Sequence, residues 1–123
     1  MNKSKYDAIV FDLLTGLIDS WSLWNEIAGS ELKGRDWRSR YLQITYKTFE
    51  YKKYEDLVLL SAQQVGLKNT NAFKLIEEWE RLKPWPEVNM VLNKLKDKFA
   101  LGVATNCSIK KGNEAIELID VKF

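Results

Sequence analysis

Two short apolar runs, far apart in the chain, restrict the possible folds more than any other feature. Residues 6–14 (Y-D-A-I-V-F-D-L-L) and residues 99–105 (F-A-L-G-V-A-T) show no helical spacing, and such runs are typical of strands buried on both faces of a parallel sheet. Asp12 lies at the carboxyl end of the first run, and Thr105-Asn106 follow the second. Because ligands bind in open α/β sheets at the carboxyl ends of the strands, both ends are candidate site positions.

Most of the chain between these runs has the spacing of helices. Residues 17–85 are too many for a loop in a compact domain, and their apolar residues recur at intervals of three and four. We therefore expect this segment to be helical throughout. Pro86 is placed to begin a helix over residues 86–98 that leads into the second strand. Other expected elements are helices over 37–51, 57–65, 71–79 and 109–119, and the start of a further strand at 121–123.

This order of elements predicts the fold class. Strand, long helical excursion, helix and strand is the order of an α/β fold whose parallel strands are joined by crossover connections. We expect an incomplete Rossmann-like parallel-sheet core from residues 1–16 and 86–123. Residues 17–85 would form a helical cap inserted after the first strand, with the active site at the junction of core and cap.

The composition narrows the possible chemistry. The 123 residues include no histidine, so serine-histidine catalysis is excluded and the commonest metal ligand is missing. The 19 basic and 17 acidic side chains are interspersed, so nothing indicates a nucleic-acid or membrane partner, and we expect the partner to be a small-molecule substrate. Cys107 is the one cysteine and no signal sequence is evident, so we expect a cytoplasmic protein.

Each candidate residue also has a purely structural explanation. An aspartate at the end of a strand, such as Asp12, caps the following turn about as often as it acts in catalysis. Its expected proximity to Thr105 and Asn106 favours a functional role. Cys107 fits a small packing residue better than a nucleophile. The tryptophans are expected mainly in the core of the cap, where one or two could line an apolar pocket: Trp21, Trp24, Trp37 and Trp79.

Both strand ends resemble motifs of the haloacid dehalogenase (HAD) superfamily. The segment F-D-L-L-T-G-L-I-D is similar to F-D-x-Y-G-T-L-x-D of the hydrolytic 2-haloacid dehalogenases, and L-G-V-A-T-N-C resembles their motif ending in S-N-G. The W-P-E-V stretch before the second motif and a helical cap between the motifs also look like this family. The resemblance implies that Asp12 is the covalent nucleophile. It further implies that Thr105 and Asn106 hold the nucleophile or the product oxygens.

A third segment resembles the dehalogenase cap. W-R-S-R-Y-L-Q-I-T-Y is similar to W-R-x-K-Q-L-E-Y, whose arginine reaches into the active site. This implies that Arg38 binds the substrate carboxylate or the departing halide, which suits a guanidinium with its fixed fork of donors. The structural alternative is a solvated arginine on the helix surface. Arg40 competes for the role, but it lies about half a helical turn away and cannot face the same cleft equally.

The residues just after Asp12 bear on the reaction. Phosphatases of the superfamily carry a second Asp two positions after the nucleophile as general acid, and Leu14 has no proton to give. Carbon–halide hydrolysis needs no such acid and no cofactor, whereas a phosphatase with an atypical first motif would need Mg²⁺. We expect Leu14 and Thr15 to contact the substrate. The order Thr15-Gly16, which reverses the family's Gly-Thr, indicates a divergent substrate.

The resemblance covers the first part of the family's catalytic machinery. The family's lysine and later acidic motifs would come after Phe123, the last residue here, so catalysis by this chain alone should be severely impaired. A catalytically inactive fragment or interaction module is therefore the remaining alternative. An incomplete sheet would also leave an unpaired edge, which favours a homodimer or another association.

Overall fold

The computed structural model describes residues 5–123, so residues 1–4 of the predicted core segment lie outside the described residues. Strand β1 (Ala8–Asp12) pairs in parallel with strand β2 (Ala100–Ala104), and Asp12 lies opposite Ala104. The parallel arrangement confirms the predicted α/β class. The expectation that both faces of the strands are buried was wrong, because alternate residues of β1 are exposed, with Val10 at 67%. Among the described residues, two strands form this sheet, which is too narrow to shield both faces.

Four helices make up most of residues 17–85: α1 (Ser20–Ala28), α2 (Glu31–Tyr46), α3 (Tyr54–Gln64) and α4 (Asn69–Glu77). Each packs against the next one along the chain, and α1 also contacts α4. Helix α2 begins before the predicted helix over 37–51 and also ends before it. The chain turns after Tyr46 and leaves Tyr51 85% exposed. Trp79 lies beyond α4 in a short 3-10 turn, Trp79–Arg81.

The segment between the strands is not helical throughout, which corrects the prediction. Residues Ile18–Asp19 and Lys83–Pro84 form a short antiparallel ladder at the two ends of the helical segment. Pro84 cannot continue a helix, and the backbone there is extended instead. The ladder brings the start and the end of the four-helix segment together beside the carboxyl end of β1.

A chain of aromatic rings forms the centre of the helical segment. Trp24 lies 4.5 Å from Trp37 between ring centroids, and contacts continue through Tyr41 and Tyr54 to Trp79 at spacings of 5.6 to 5.8 Å. Tilted and edge-on rings at such distances attract each other beyond the area that they bury. Trp24, Trp37 and Trp79 are thus core residues as expected, whereas Trp21 is 49% exposed.

The remaining helices flank β2. Helix α5 (Val88–Leu95) precedes the strand, and helix α6 (Ile109–Ile116) follows it. The predicted strand at residues 121–123 was wrong. These residues form no strand in the described structure; Val121 is buried in the core, and the preceding Asp120 N–H donates to the Asn89 side chain over 3.0 Å. Within residues 5–123, none of the helices has the length and apolar character needed to cross a membrane.

Candidate functional site

The carboxylate of Asp12 lies at the exposed end of β1. The chain then enters a single π-helical turn, Leu13–Leu17, a type of turn that often occurs at functional sites. This turn brings the Gly16 N–H back to Asp12, where it donates to Oδ2 over 3.1 Å. A Cβ at position 16 would lie 3.2 Å from the Asp12 Cβ, so a glycine suits this close approach. Among the described residues, Asp12 Oδ1 accepts no hydrogen bond, which leaves it available to a ligand.

Trp85 anchors the turn from the other side. Its indole N–H donates to the Thr15 carbonyl over 2.8 Å, and its backbone N–H donates to the Leu17 carbonyl over 3.0 Å. Trp85 is the residue held between the two prolines that end the helical segment. The return of the chain to the sheet therefore fixes the turn that carries Leu14 and Thr15.

The end of β2 lies beside Asp12, because Ala104 is its partner in the parallel register. Thr105 directs its hydroxyl at Cys107 Sγ over 3.5 Å, and the Asn106 carbonyl accepts from the Tyr41 hydroxyl over 3.4 Å. Burial raises the pKa of the Cys107 thiol, and the Thr105 hydroxyl partly opposes this shift. A raised pKa disfavours the nucleophilic thiolate, in agreement with the structural explanation of Cys107 as a packing residue.

Arg38 extends from α2 towards α1. Its guanidinium donates to Asn25 Oδ1 over 2.8 Å and to the Trp21 carbonyl over 3.2 Å, and it lies 5.2 Å from the centre of the Trp21 ring. Partial burial lowers the pKa of Arg38, while the charges of Asp19 and Glu31 oppose this shift. An arginine remains protonated nonetheless, so a positive charge is held here by neutral partners.

Arg40 points elsewhere. Its guanidinium donates to Gln64 on α3 and, over 3.0 Å, to Gln43. Half a turn of helix thus separates the two arginines, and Arg38 is the one that reaches the cavity described next.

One cavity of about 560 Å³ lies between the strand ends and helices α1 and α2. All six residues that the sequence predicts for the site line this cavity: Asp12, Leu14, Thr15, Arg38, Thr105 and Asn106. Their roles stay predictions, but the fold brings them to one place. A volume of this size is within the range of roughly 300–1,000 Å³ that is usual for small-molecule sites.

Several lining residues are not among those predicted from the sequence. Four of them lie on the same face of α2 as Arg38, namely Glu31, Arg35, Leu42 and Tyr46. Their spacing of three and four residues was a usable signal once Arg38 had been chosen. Asn25 also lines the cavity, and no local pattern singles it out because it comes from another helix. Among residues 5–123, no three or more Asp, Glu or Cys side chains are grouped so that they could hold a metal ion.

Several solved structures superpose on this chain. An L-2-haloacid dehalogenase superposes with a TM-score of 0.73 over 96% of this chain, at 19% sequence identity. The chain has the haloacid dehalogenase fold. The L-2-haloacid dehalogenase from Xanthobacter autotrophicus with chloropropionic acid covalently bound also has this fold, with a TM-score of 0.73 over 92% of this chain at 16% identity. A further dehalogenase gives a TM-score of 0.77 over 96% of this chain at 19% identity.

The shared haloacid dehalogenase fold confirms the resemblance found in the two strand-end motifs and the predicted parallel-sheet architecture. The chain spans 60%, 51% and 59% of the lengths of these three structures, respectively. No family model and no curated protein matches the chain by sequence. The boundaries between core and cap therefore stay a prediction from the sequence.

Proposed function

We propose that the chain belongs to a hydrolase that acts on a small 2-haloacid-like substrate through a covalent ester on Asp12. The observation that carries the proposal is the convergence of one strand-end carboxylate, one arginine and the Thr105-Asn106 pair in a single cavity. The fold shared with L-2-haloacid dehalogenases supports the same reaction class.

In the first step, Asp12 Oδ1 attacks the carbon that bears the halogen. A carbon–oxygen bond forms, and the carbon–halogen bond breaks with its electron pair leaving as halide. Gly16 supports this role for Asp12 because its N–H donates to Oδ2, whereas Oδ1 accepts no hydrogen bond from the described residues. In the second step, water attacks the carbonyl carbon of the ester and the bond from that carbon to the alkoxide oxygen breaks. One proton of the water passes to the departing alkoxide and the other to solvent, so the 2-hydroxy acid leaves and the Asp12 carboxylate is regenerated.

Arg38 would bind the substrate carboxylate or the departing halide. Its guanidinium is held by Asn25 and by the Trp21 carbonyl, both neutral acceptors, so its charge is not neutralised by an ion pair among the described residues. A positioned cation that requires no reorganisation stabilises developing negative charge effectively. The Thr105-Asn106 pair, one residue beyond the partner of Asp12, would contact the nucleophile or the product oxygens.

Leu14 supports halide rather than alcohol as the leaving group. It lines the cavity two residues after Asp12, where a phosphatase of this superfamily would place its general acid. Halide leaves without a proton, so an apolar residue is compatible with the reaction. The Xanthobacter enzyme with covalently bound chloropropionic acid offers a parallel for a covalent adduct in this fold.

The decisive experiment is to trap the ester. The chain is incubated with 2-chloropropionate, and intact-mass spectrometry followed by peptide mapping looks for one 1-carboxyethyl group esterified to Asp12, while released chloride is measured in parallel. Because catalysis by this chain alone is expected to be slow, the incubation is long, and we expect the adduct to accumulate in the unmodified chain and to be lost in Asp12→Asn. Asp7→Asn changes an exposed aspartate at the opposite end of β1 and should retain it.

Other outcomes would overturn the proposal in distinguishable ways. Mg²⁺-dependent release of phosphate from p-nitrophenyl phosphate that requires Asp12 would indicate a phosphatase. A folded chain that forms no adduct and releases neither chloride nor phosphate would indicate a catalytically inactive module. An adduct that maps to another residue would contradict the assignment of the nucleophile.

A further inference from the structure

One face of helix α2 changes character along its length. Five of its residues, spaced by three or four, line the cavity, and we call them the α2 stripe: Glu31, Arg35, Arg38, Leu42 and Tyr46. The first three are charged and the last two are largely apolar. The stripe thus presents charge at the start of the helix and apolar surface towards its end.

The carboxyl ends of β1 and β2, where Asp12 and Asn106 lie, approach the middle of this stripe. The Tyr41 hydroxyl contacts the Asn106 carbonyl over 3.4 Å, and Tyr41 stands between Arg38 and Leu42 along the helix. Asn106 follows the strand that pairs with the strand of Asp12. A ligand atom near Asp12 would therefore have the guanidinium groups of the stripe on one side and its apolar residues on the other.

Large apolar side chains in the cavity are open to water. Leu42 is 44% exposed, Tyr46 is 75% exposed and Trp21, across the cavity on α1, is 49% exposed. Covering apolar surface is favourable in proportion to the area removed from water. From Arg38 to Tyr46 the helix rises about 12 Å, so a ligand that contacts both ends must be longer than a three-carbon acid.

We infer that the substrate is an amphipathic 2-substituted carboxylic acid with an alkyl chain or ring longer than the methyl group of a propionate. Its carboxylate contacts Arg38 and Arg35, its reacting carbon lies at Asp12, and its apolar group lies along Leu42 and Tyr46. The position of the reacting carbon rests on the proposed function. The binding of the carboxylate and the apolar group does not.

Unreactive carboxylates test the binding directly. Propanoate, hexanoate and octanoate are titrated into the isotopically labelled chain, and affinities are obtained from NMR shift changes, with hexan-1-ol as the ligand without charge. We expect the affinity to increase about two- to fourfold for each added methylene group that is covered. Hexan-1-ol should bind more weakly than hexanoate because it lacks the charge that the arginines recognise.

Two leucines of α2 provide a matched pair of variants. Leu42→Asn should reduce the ratio of octanoate to propanoate affinity at least threefold, whereas Leu32→Asn should leave that ratio unchanged. Leu32 is an exposed leucine of the same helix, at 58%, but it does not line the cavity. Because both side chains are exposed, neither change should unfold the chain, and Tyr46→Ser offers a second change within the stripe.

The results separate this inference from the proposed function. An affinity that is independent of chain length, or a chain-length effect that persists in both Leu42→Asn and Tyr46→Ser, would overturn the inference. If 2-chloropropionate forms an ester on Asp12 but octanoate binds no better than propanoate, the reaction stands and the inference fails. If octanoate binds through Leu42 but no 2-halo acid forms an ester, the binding site stands and the proposed chemistry fails.

Discussion

The guanidinium of Arg38 donates a 2.8 Å hydrogen bond to the side-chain oxygen of Asn25, which joins α2 to α1 at the wall of the cavity. The bond depends on how closely the two helices approach. Gly34 lies one turn before Arg38 on α2, and a Cβ at that position would lie 2.1 Å from Asn25 Oδ1 and 2.6 Å from its Cα. Glycine at position 34 thus permits the contact that orients Arg38.

Replacing Gly34 by alanine should separate α1 from α2. The added methyl group would overlap the backbone of Asn25, and such overpacking costs about 1–3 kcal/mol of unfolding free energy. Urea denaturation followed by circular dichroism measures the loss. Gly112→Ala on α6 is the control, because its Cβ would meet Cys107 Sγ at an ordinary 3.4 Å, and better helix propensity should make it neutral or up to about 1 kcal/mol stabilising. Equal effects of both changes would contradict the role of Gly34.

Arg38→Lys should weaken the proposed reaction while preserving the charge. A lysine cannot contact Asn25, the Trp21 carbonyl and a carboxylate with one rigid fork, so we expect kcat/KM for halide release, or the rate of ester formation, to fall about tenfold or more. Arg40→Lys makes the same change on the opposite face of α2, where the side chain contacts Gln64 and Gln43, and should leave the rate unchanged. A loss of rate in Arg40→Lys but not in Arg38→Lys would show that Arg40, and not Arg38, binds the substrate.

Trp85→Phe should loosen the turn after Asp12. The change removes the indole N–H that donates to the Thr15 carbonyl, at a cost of about 1 kcal/mol, and retains most of the ring. We expect ester formation on Asp12 to slow by up to about tenfold. Trp79→Phe removes a similar 2.9 Å bond, to the Lys111 carbonyl outside the cavity, and should reduce stability without changing the ester-forming rate of the folded fraction. Rates that follow stability in both variants would show that Trp85 has no positioning role.

Buried tyrosines should make the fold sensitive to alkaline pH. Burial raises the pKa of Tyr41 and raises that of Tyr54 well above its ordinary value. The unfolded chain therefore releases these protons first, near pH 10, and the stabilisation present below that pH is lost as the pH rises towards the folded pKa values. Tyr54→Phe should reduce the slope of unfolding free energy against pH between about 9 and 11. Tyr51→Phe, at an exposed position, should not, and a slope unchanged in Tyr54→Phe would contradict this linkage.

Local sequence patterns were sufficient for the ends of the sheet. The apolar runs before Asp12 and Thr105 are strands, and their parallel pairing places both ends at one edge. The helical spacing around Arg38 correctly indicated a helix, although α2 ends at Tyr46 because helix termini depend on contacts beyond the local pattern. The strand predicted at residues 121–123 failed for a related reason. Val121 is apolar enough for a strand, but it packs into the core instead.

Periodicity along the chain is enough to show that Asp12 ends a strand and that the α2 stripe lies on one helix face, because both depend only on local backbone geometry. That Arg38 lines the cavity and Arg40 does not, that Asn25 holds Arg38 and that Trp85 fixes the turn after Asp12 became evident only from the folded chain. These contacts join residues 13 and 70 positions apart, and they arise from how closely helices and strands pack, which periodicity along the chain does not encode.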